Sequence, residues 1–198
     1  MKVVLATRNE GKVRELQRIL TPFAIELVAA SYDPGPETGA SFAENALAKA
    51  REGLALTGLP AVADDSGLTV VALNGMPGIL SARWAGRHGG DGANLALVLG
   101  QLSDVPADRR GAAFVCAAAY ALPDGSSACV EGVLRGSLLT EPRGTNGFGY
   151  DPIFVPSGYE LTTAELSPQD KDAISHRGQA FRELAPLLAA ALGVDGLA

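Results

Sequence analysis

The sequence predicts an α/β fold on a mixed β-sheet flanked by helices, and three observations carry that prediction. Short apolar runs alternate with segments of helical period in the order β-α-β-α-β-β-α-β-β-α. Two strand-like runs, 111–122 and 128–139, flank Pro123-Asp124-Gly125 as a hairpin. No internal repeat and no linker-like segment divides the 198 residues, so the whole chain, 1–198, reads as one domain.

The elements follow in order. Residues 2–6 form a short buried strand, and Val13, Leu16 and Leu20 then recur at helical spacing within 10–20. Residues 24–30 are a second strand candidate, followed by a loop over 31–39 rich in proline and glycine. Ser41-Phe42-Ala43-Glu44 matches a capping box and opens a helix to about Thr57, with Phe42, Ala46, Ala50 and Leu54 along its apolar face. Ala61-Val62-Ala63 is a strand, Asp64-Asp65-Ser66-Gly67 a turn, and 68–73 another strand. A glycine-rich connection over 74–92 leads to a helix ending near Leu102. After the hairpin, a last helix starts near Ser175, with Phe181, Leu184 and Leu188 apolar and Pro186 within it.

Composition narrows the function. A chain of this length buries roughly 70% of its unfolded surface and needs no metal or disulfide staple to fold. Its 47% hydrophobic and 19% charged residues describe an ordered globule. The apolar stretch 184–194 contains Pro186 and Gly193 and falls short of the ~18 residues of a membrane span. The apolar run after Lys2 is too short for a signal peptide, so no membrane association and a cytoplasmic location are expected. Cys116 and Cys129 lie in strand-like runs with no zinc-ligand spacing, and read as buried free thiols. A net charge of −6 argues against non-specific nucleic-acid binding, which needs a basic face. An anionic small molecule stays open if positive charge is local. There are only four lysines, and Lys12, Lys49 and Lys171 each sit beside a motif.

Four residue sets could carry chemistry. Thr7-Arg8-Asn9-Glu10-Gly11-Lys12 lies between the first strand and first helix, where unpaired amides and the helix dipole suit phosphate. It lacks the glycine and hydroxyl spacing of a P-loop, and alone reads equally as a capped helix with a solvated lysine. Glu37, Glu44, Asp64 and Asp65 offer hard oxygen ligands suited to Mg²⁺. Adjacent strand residues face opposite ways, so one of Asp64 and Asp65 would face a site and the other support it. A plain turn accounts for the aspartates and the capping box for Glu44. Asn45 and Lys49 share one helix face, bordering either a cleft or solvent. The run Gly144-Thr145-Asn146-Gly147-Phe148-Gly149-Tyr150-Asp151-Pro152 exposes an aromatic ring beside a carboxylate, and Lys171 and Ser175-His176-Arg177-Gly178 follow it. Alone it reads first as a turn between strands. With its partners it can grip a nucleobase, since arginine reads the O6 and N7 of a 6-oxopurine while adenine presents a donor there.

In order and spacing, Thr7 through Lys12, Phe42-Ala43-Glu44-Asn45-Ala46, Asp64-Asp65-Ser66-Gly67-Leu68, Gly147 through Pro152 and Ser175 through Gly178 closely resemble the inosine/xanthosine triphosphate pyrophosphatase family. Pro77-Gly78-Ile79 and Ser81-Ala82-Arg83-Trp84 fit the same pattern, and the resemblance covers essentially the whole chain. It implies a twisted mixed sheet in two lobes around a central cleft, a Mg²⁺-dependent homodimer, and a purine nucleoside triphosphate substrate. The expected reaction cuts ITP, dITP or XTP into the monophosphate and pyrophosphate. Carried over by motif position, Asp65 is the metal-associated general base and Glu37 a second metal ligand. Thr7, Arg8, Asn9, Glu10, Gly11, Lys12, Asn45 and Lys49 lie along the triphosphate, and Ser66 contacts substrate near Asp65. Phe148 stacks on the base, with Gly149 and Tyr150 beside it and Asp151, Lys171, His176 and Arg177 around its edge. Arg8 departs from the small residue common after the threonine, and Asn146 is larger than usual there. Two other functions remain in view: a nucleotide sensor without turnover, which could dispense with the acidic pair, and a pyrophosphatase for pyrimidine or modified bases.

Overall fold

A computed structural model describes residues 1–7, 13, 16, 17, 25–30, 32 and 35–194. The helix expected over 10–20 lies mostly outside the described residues, as do Arg8, Asn9, Glu10, Gly11 and Lys12. Six strands form one sheet: β1 (Lys2–Leu5), β2 (Glu26–Ala29), β3 (Ala61–Val70), β4 (Gly111–Ala121), β5 (Ser127–Leu138) and β6 (Phe154–Pro156), in the order β2-β1-β3-β4-β5-β6. β1 runs parallel to both β2 and β3, and β5 runs antiparallel to β6, so the sheet is mixed as expected. Among the described residues the α-helices are α1 (Phe42–Thr57), α2 (Asp91–Gln101), α3 (Pro168–Ile174) and α4 (His176–Ala191).

Local chemistry explains where α1 begins. The Ser41 hydroxyl accepts the Glu44 amide at 3.2 Å, and Glu44 reaches back to accept the Ala40 amide at 2.9 Å. The Glu44 amide, a helix-start donor, is thereby satisfied in the manner of a capping box, with the return contact on Ala40, one residue earlier than usual.

Three features differ from the sequence expectation. No turn interrupts Asp64-Asp65-Ser66-Gly67; β3 runs straight through from Ala61 to Val70. Turn preference is local, and here it yields to long-range partners that engage both carboxylates inside a strand. The segment after β3, Val71–Leu73, is a 3₁₀ turn rather than more strand. The short elements β6 and α3 were not anticipated, although α3 has a start signal: Ser167 accepts the Asp170 amide at 3.1 Å and Pro168 occupies the first turn.

The chain divides into two compact units. The first comprises Met1–Asp65, Cys116–Gly132 and His176–Ala198. Its core sets Phe181, Leu184 and Leu188 of α4 against Val3 and Leu5 of β1 and Ala118 of β4. The helix continues through Pro186 to Ala191. Gly132 admits the start of α4 closely. A Cβ there would meet the His176 carbonyl oxygen and stand 2.7 Å from the Ala180 amide nitrogen.

The second unit comprises Ser66–Val115 and Val133–Ser175. Leu68, Val70, Val98, Leu138 and Phe154 form its core, with the Phe114 and Phe154 rings tilted at 4.5 Å between centroids. Arg110 is buried there, with no carboxylate partner among the described residues. Its guanidinium donates to the carbonyls of Leu102 (2.7 Å), Leu138 (2.9 Å) and Leu139 (2.8 Å). Burial pulls its pKa down from the ordinary arginine value, although three short bonds to backbone oxygens keep a charged fork well placed.

Candidate active site

In the first unit, Asp65 is the centre of a cluster built from α1, β3 and the loop before α1. Asn45 of α1 is buried and its amide is fully directed. Its Nδ2 donates to Asp65 Oδ2 at 2.9 Å, and its Oδ1 accepts the Gly39 amide at 2.8 Å. One turn further along the same helix face, Lys49 Nζ lies 3.1 Å from Asp65 Oδ1 and 2.7 Å from Glu37 Oε1. Glu37 and Asp65 of the acidic set and Asn45 and Lys49 of the helical set therefore form one constellation. Asn45, expected along the triphosphate, is hydrogen-bonded to the Asp65 carboxylate.

The electrostatics of Lys49 follow from that crowding. Burial pulls its pKa down, but the charges of Asp65, Asp64 and Glu37, with the Glu37 hydrogen bond, outweigh burial and leave it above the ordinary lysine value. It stays an ammonium at neutral pH.

Strand alternation sends Asp64 the other way. Its Oδ2 accepts from Arg177 Nε at 3.2 Å and from the Cys116 thiol at 3.9 Å. Asp64 and Arg177 are both almost wholly buried, their side chains 0% and 3% exposed. Arg177 is the second residue of α4, directly after the buried His176. Thr7 follows β1, its amide donating to the Leu5 carbonyl at 2.9 Å.

The second unit holds the aromatic run. Phe148 is exposed at 43%, and the groups around it hold its backbone. Asp151 Oδ2 accepts the Phe148 amide at 2.8 Å and pairs with Lys171 Nζ at 2.6 Å, while its Oδ1 accepts from Thr163 Oγ1 at 2.8 Å. The same ammonium lies 5.1 Å from the centre of the Phe148 ring, within cation–π range. Gly147 takes a left-handed φ of 78°, and a Cβ there would run into the Asp151 carboxylate, which is why a glycine precedes the ring. The Gly149 amide donates to Asp91 Oδ2 at 2.9 Å. Tyr150 is buried, its hydroxyl donating to the Ser81 carbonyl at 2.9 Å. Burial, and then the charge of Asp91, push that phenol far above the usual tyrosine range. Ser66 is half-buried in β3.

Thr163 and Asp91 were not singled out in the sequence. Nothing local marks Thr163, whose role comes from the chain returning, after β6, to Asp151 twelve positions earlier. Asp91 opens α2 and had a legible signal as an acidic residue at a helix start.

The donor set bears on a metal. Among the described residues no three His, Cys, Asp or Glu side chains gather as an all-protein cage. Glu37 and Asp65 instead converge on one positive centre, the Lys49 ammonium. Two carboxylates at one cationic position fit Mg²⁺, which takes one or two carboxylates and completes its shell with water and substrate phosphate.

The Ham1 family model matches residues 3–187. The dITP/XTP pyrophosphatase of Frankia alni is 60% identical over 196 residues, spanning 95% of this chain and 97% of that protein. The crystal structure of a nucleoside-triphosphatase, dITP/XTP pyrophosphatase, from Mycobacterium abscessus is 58% identical with a TM-score of 0.77, over 94% of this chain and all of that one. A HAM1 protein from Coxiella burnetii is 42% identical with a TM-score of 0.87, over 96% of this chain and 99% of the other. No helix among the described residues is long and apolar enough to cross a membrane.

Proposed function

The chain belongs to the Ham1 family, and we propose that it hydrolyses ITP, dITP and XTP to the nucleoside monophosphate and pyrophosphate. The observation that carries this reading is the Asp65 carboxylate, buried on β3 yet held at both oxygens by donors from α1 and matched by Glu37 across Lys49. A nucleotide sensor has no use for such an oriented acidic pair; a hydrolase needs it to take a proton.

Asp65 accepts a proton from the attacking water as the water oxygen bonds to phosphorus, the α–β anhydride breaks and pyrophosphate leaves. Asn45 aims the carboxylate and prevents its rotation. Mg²⁺, held by Glu37 and Asp65, would supply Lewis-acid neutralisation of the phosphate oxygens. A triphosphate carries about four negative charges. Lys12, Lys49, Thr7, Asn9 and the other residues of that first loop, Arg8, Glu10 and Gly11, lie along it, and Lys49 leaves its carboxylate partners for phosphate as substrate and metal arrive together. Ser66 contacts substrate beside Asp65. Phe148 stacks on the base, its amide held by Asp151 and its ring flanked by Lys171, and His176 and Arg177 read the 6-oxo edge. The working form is a cytoplasmic homodimer.

Pyrophosphate release from a panel of ITP, dITP, XTP, GTP, ATP and CTP, with and without Mg²⁺, tests the reading. Release from the first three, absent without metal and far slower with ATP, is expected. Orthophosphate as the product, or equal rates across bases, would sink it.

A further inference from the structure

The adjacent aspartates of β3 divide into two jobs, and the structure assigns the second. We propose that Asp64 is a positioning residue for base choice: from the face of β3 opposite Asp65 it fixes the plane of the Arg177 guanidinium. This rests on the proposed reading of Arg177 as a purine-edge donor and deepens it.

Consecutive strand residues point to opposite faces, so Asp64 cannot share the Lys49–Glu37 side with Asp65 in an unbroken β3. Its Oδ2 instead meets Arg177 Nε at 3.2 Å, across 113 residues of sequence. Nε is the donor nearest the stem, and a carboxylate fixed there sets the direction of the rest of the rigid guanidinium fork. Both side chains are almost wholly buried, which leaves little room for reorientation. The Cys116 thiol, from β4, touches the same carboxylate oxygen and anchors it from a third element.

A buried carboxylate opposite a buried guanidinium is a costly arrangement on stability grounds, and an apolar pair of equal volume often serves as well. Its retention beside a catalytic aspartate is accounted for if the pair aligns donors before a base arrives. A hydrogen-bonding site discriminates by leaving its own groups unpaired against the wrong base, and a guanidinium that can swing loses that penalty. Asp64 thus acts on the choice between 6-oxo and 6-amino purines, through Arg177, while Asp65 acts on the bond that breaks.

The test uses full-length protein with Asp64→Asn, Asp64→Glu, Arg177→Ala and the double variant Asp64→Asn/Arg177→Ala. Thermal denaturation establishes folding, steady-state pyrophosphate release gives kcat and KM for ITP and ATP, and calorimetry gives affinities for IMP and AMP. Asp64→Asn should lower the ITP/ATP ratio of kcat/KM by about tenfold, carried by KM for ITP rather than by kcat. IMP affinity should fall in parallel and AMP affinity should not. Asp64→Glu, which keeps the charge, should fall between wild type and Asp64→Asn. In the Arg177→Ala background, Asp64→Asn should cost no further discrimination, because the two residues act as one unit. Equal losses for ITP and ATP, additive effects in the double variant, or a raised Mg²⁺ requirement with an unchanged ratio would each overturn the assignment. If Asp64→Asn does not fold, an unchanged ratio in Asp64→Glu overturns it equally. A wild type that releases no pyrophosphate from ITP would instead overturn the functional reading, and the IMP and AMP affinities would still decide the role of Asp64.

Discussion

In the proposed reaction Asp65 carries the heaviest demand of any side chain, because it would have to stay ionised, accept a proton and hold a metal from a buried position. Its surroundings meet that demand with two donors of different kinds, the neutral amide of Asn45 and the cation of Lys49. Asp65→Asn is expected to lower kcat by about 10²–10⁴-fold, the contribution of a positioned general base. Nucleotide affinity should be largely kept, because the proposed contacts of Lys12, Lys49 and Phe148 with the nucleotide remain in that variant. Wild-type turnover by that variant would remove Asp65 from the role. Lys49 gives a pH prediction with a definite sign. Its folded pKa lies above the ordinary 10.5, so the stabilisation it contributes is complete below that value and is lost as pH rises through the raised one. The melting-temperature gap between wild type and Lys49→Met should therefore stay constant from about pH 7 to 9 and narrow only at higher pH. A gap already closing in that lower window would show that the ammonium is not held by its carboxylates.

At the scale of elements, β3 and α4 show what the sequence made legible and what it could not. The helix start at Ser41 was readable because its signal lies within four residues, Ser41 to Glu44. The strand identity of Asp64 and Asp65 was not, because nothing local distinguishes a buried, partnered aspartate from one in a turn. The partners that decide it are Lys49 and Asn45, one helix away, and Arg177, at the far end of the chain. The same limit concealed Thr163 behind Asp151, whereas motif order was enough to single out Asp65, Glu37, Lys49 and Arg177 as candidates. Gly132 is a further case, a glycine inside a strand whose reason is a distant helix start. Gly132→Ala would force a methyl against the His176 carbonyl and the Ala180 amide, both backbone atoms that cannot rotate away. The expected cost is about 1–3 kcal/mol of stability. A drop in ITP/ATP discrimination should accompany it, because the shifted turn carries His176 and Arg177. A variant with wild-type melting temperature and wild-type selectivity would mean that α4 shifts without consequence.

At the scale of the whole molecule, the relation of metal to fold can be argued from where the apolar surface goes. Each unit has its own hydrophobic cluster, one around Leu5, Phe181 and Leu184, the other around Leu68, Leu138 and Phe154. Neither cluster includes the acidic residues around Lys49. In the second, backbone carbonyls match the buried charge of Arg110. Burial on this scale is enough to stabilise a chain of this length without a metal staple. Glu37 and Asp65, meanwhile, already have Lys49 between them, so no bare carboxylate pair is left to repel when divalent ions are withdrawn. Chelation with EDTA should accordingly abolish pyrophosphate release while leaving the far-UV circular dichroism unchanged and the melting temperature within about 2 °C, a shift worth less than 1 kcal/mol for a protein of this size. Restored Mg²⁺ should return activity without altering the spectrum. Adding ITP with the metal, under conditions that slow turnover, should raise the melting temperature more than ATP does, since a ligand stabilises in proportion to its preference for the native state. Unfolding on chelation would contradict this separation of metal from fold and place the ion among the structural supports of the first unit.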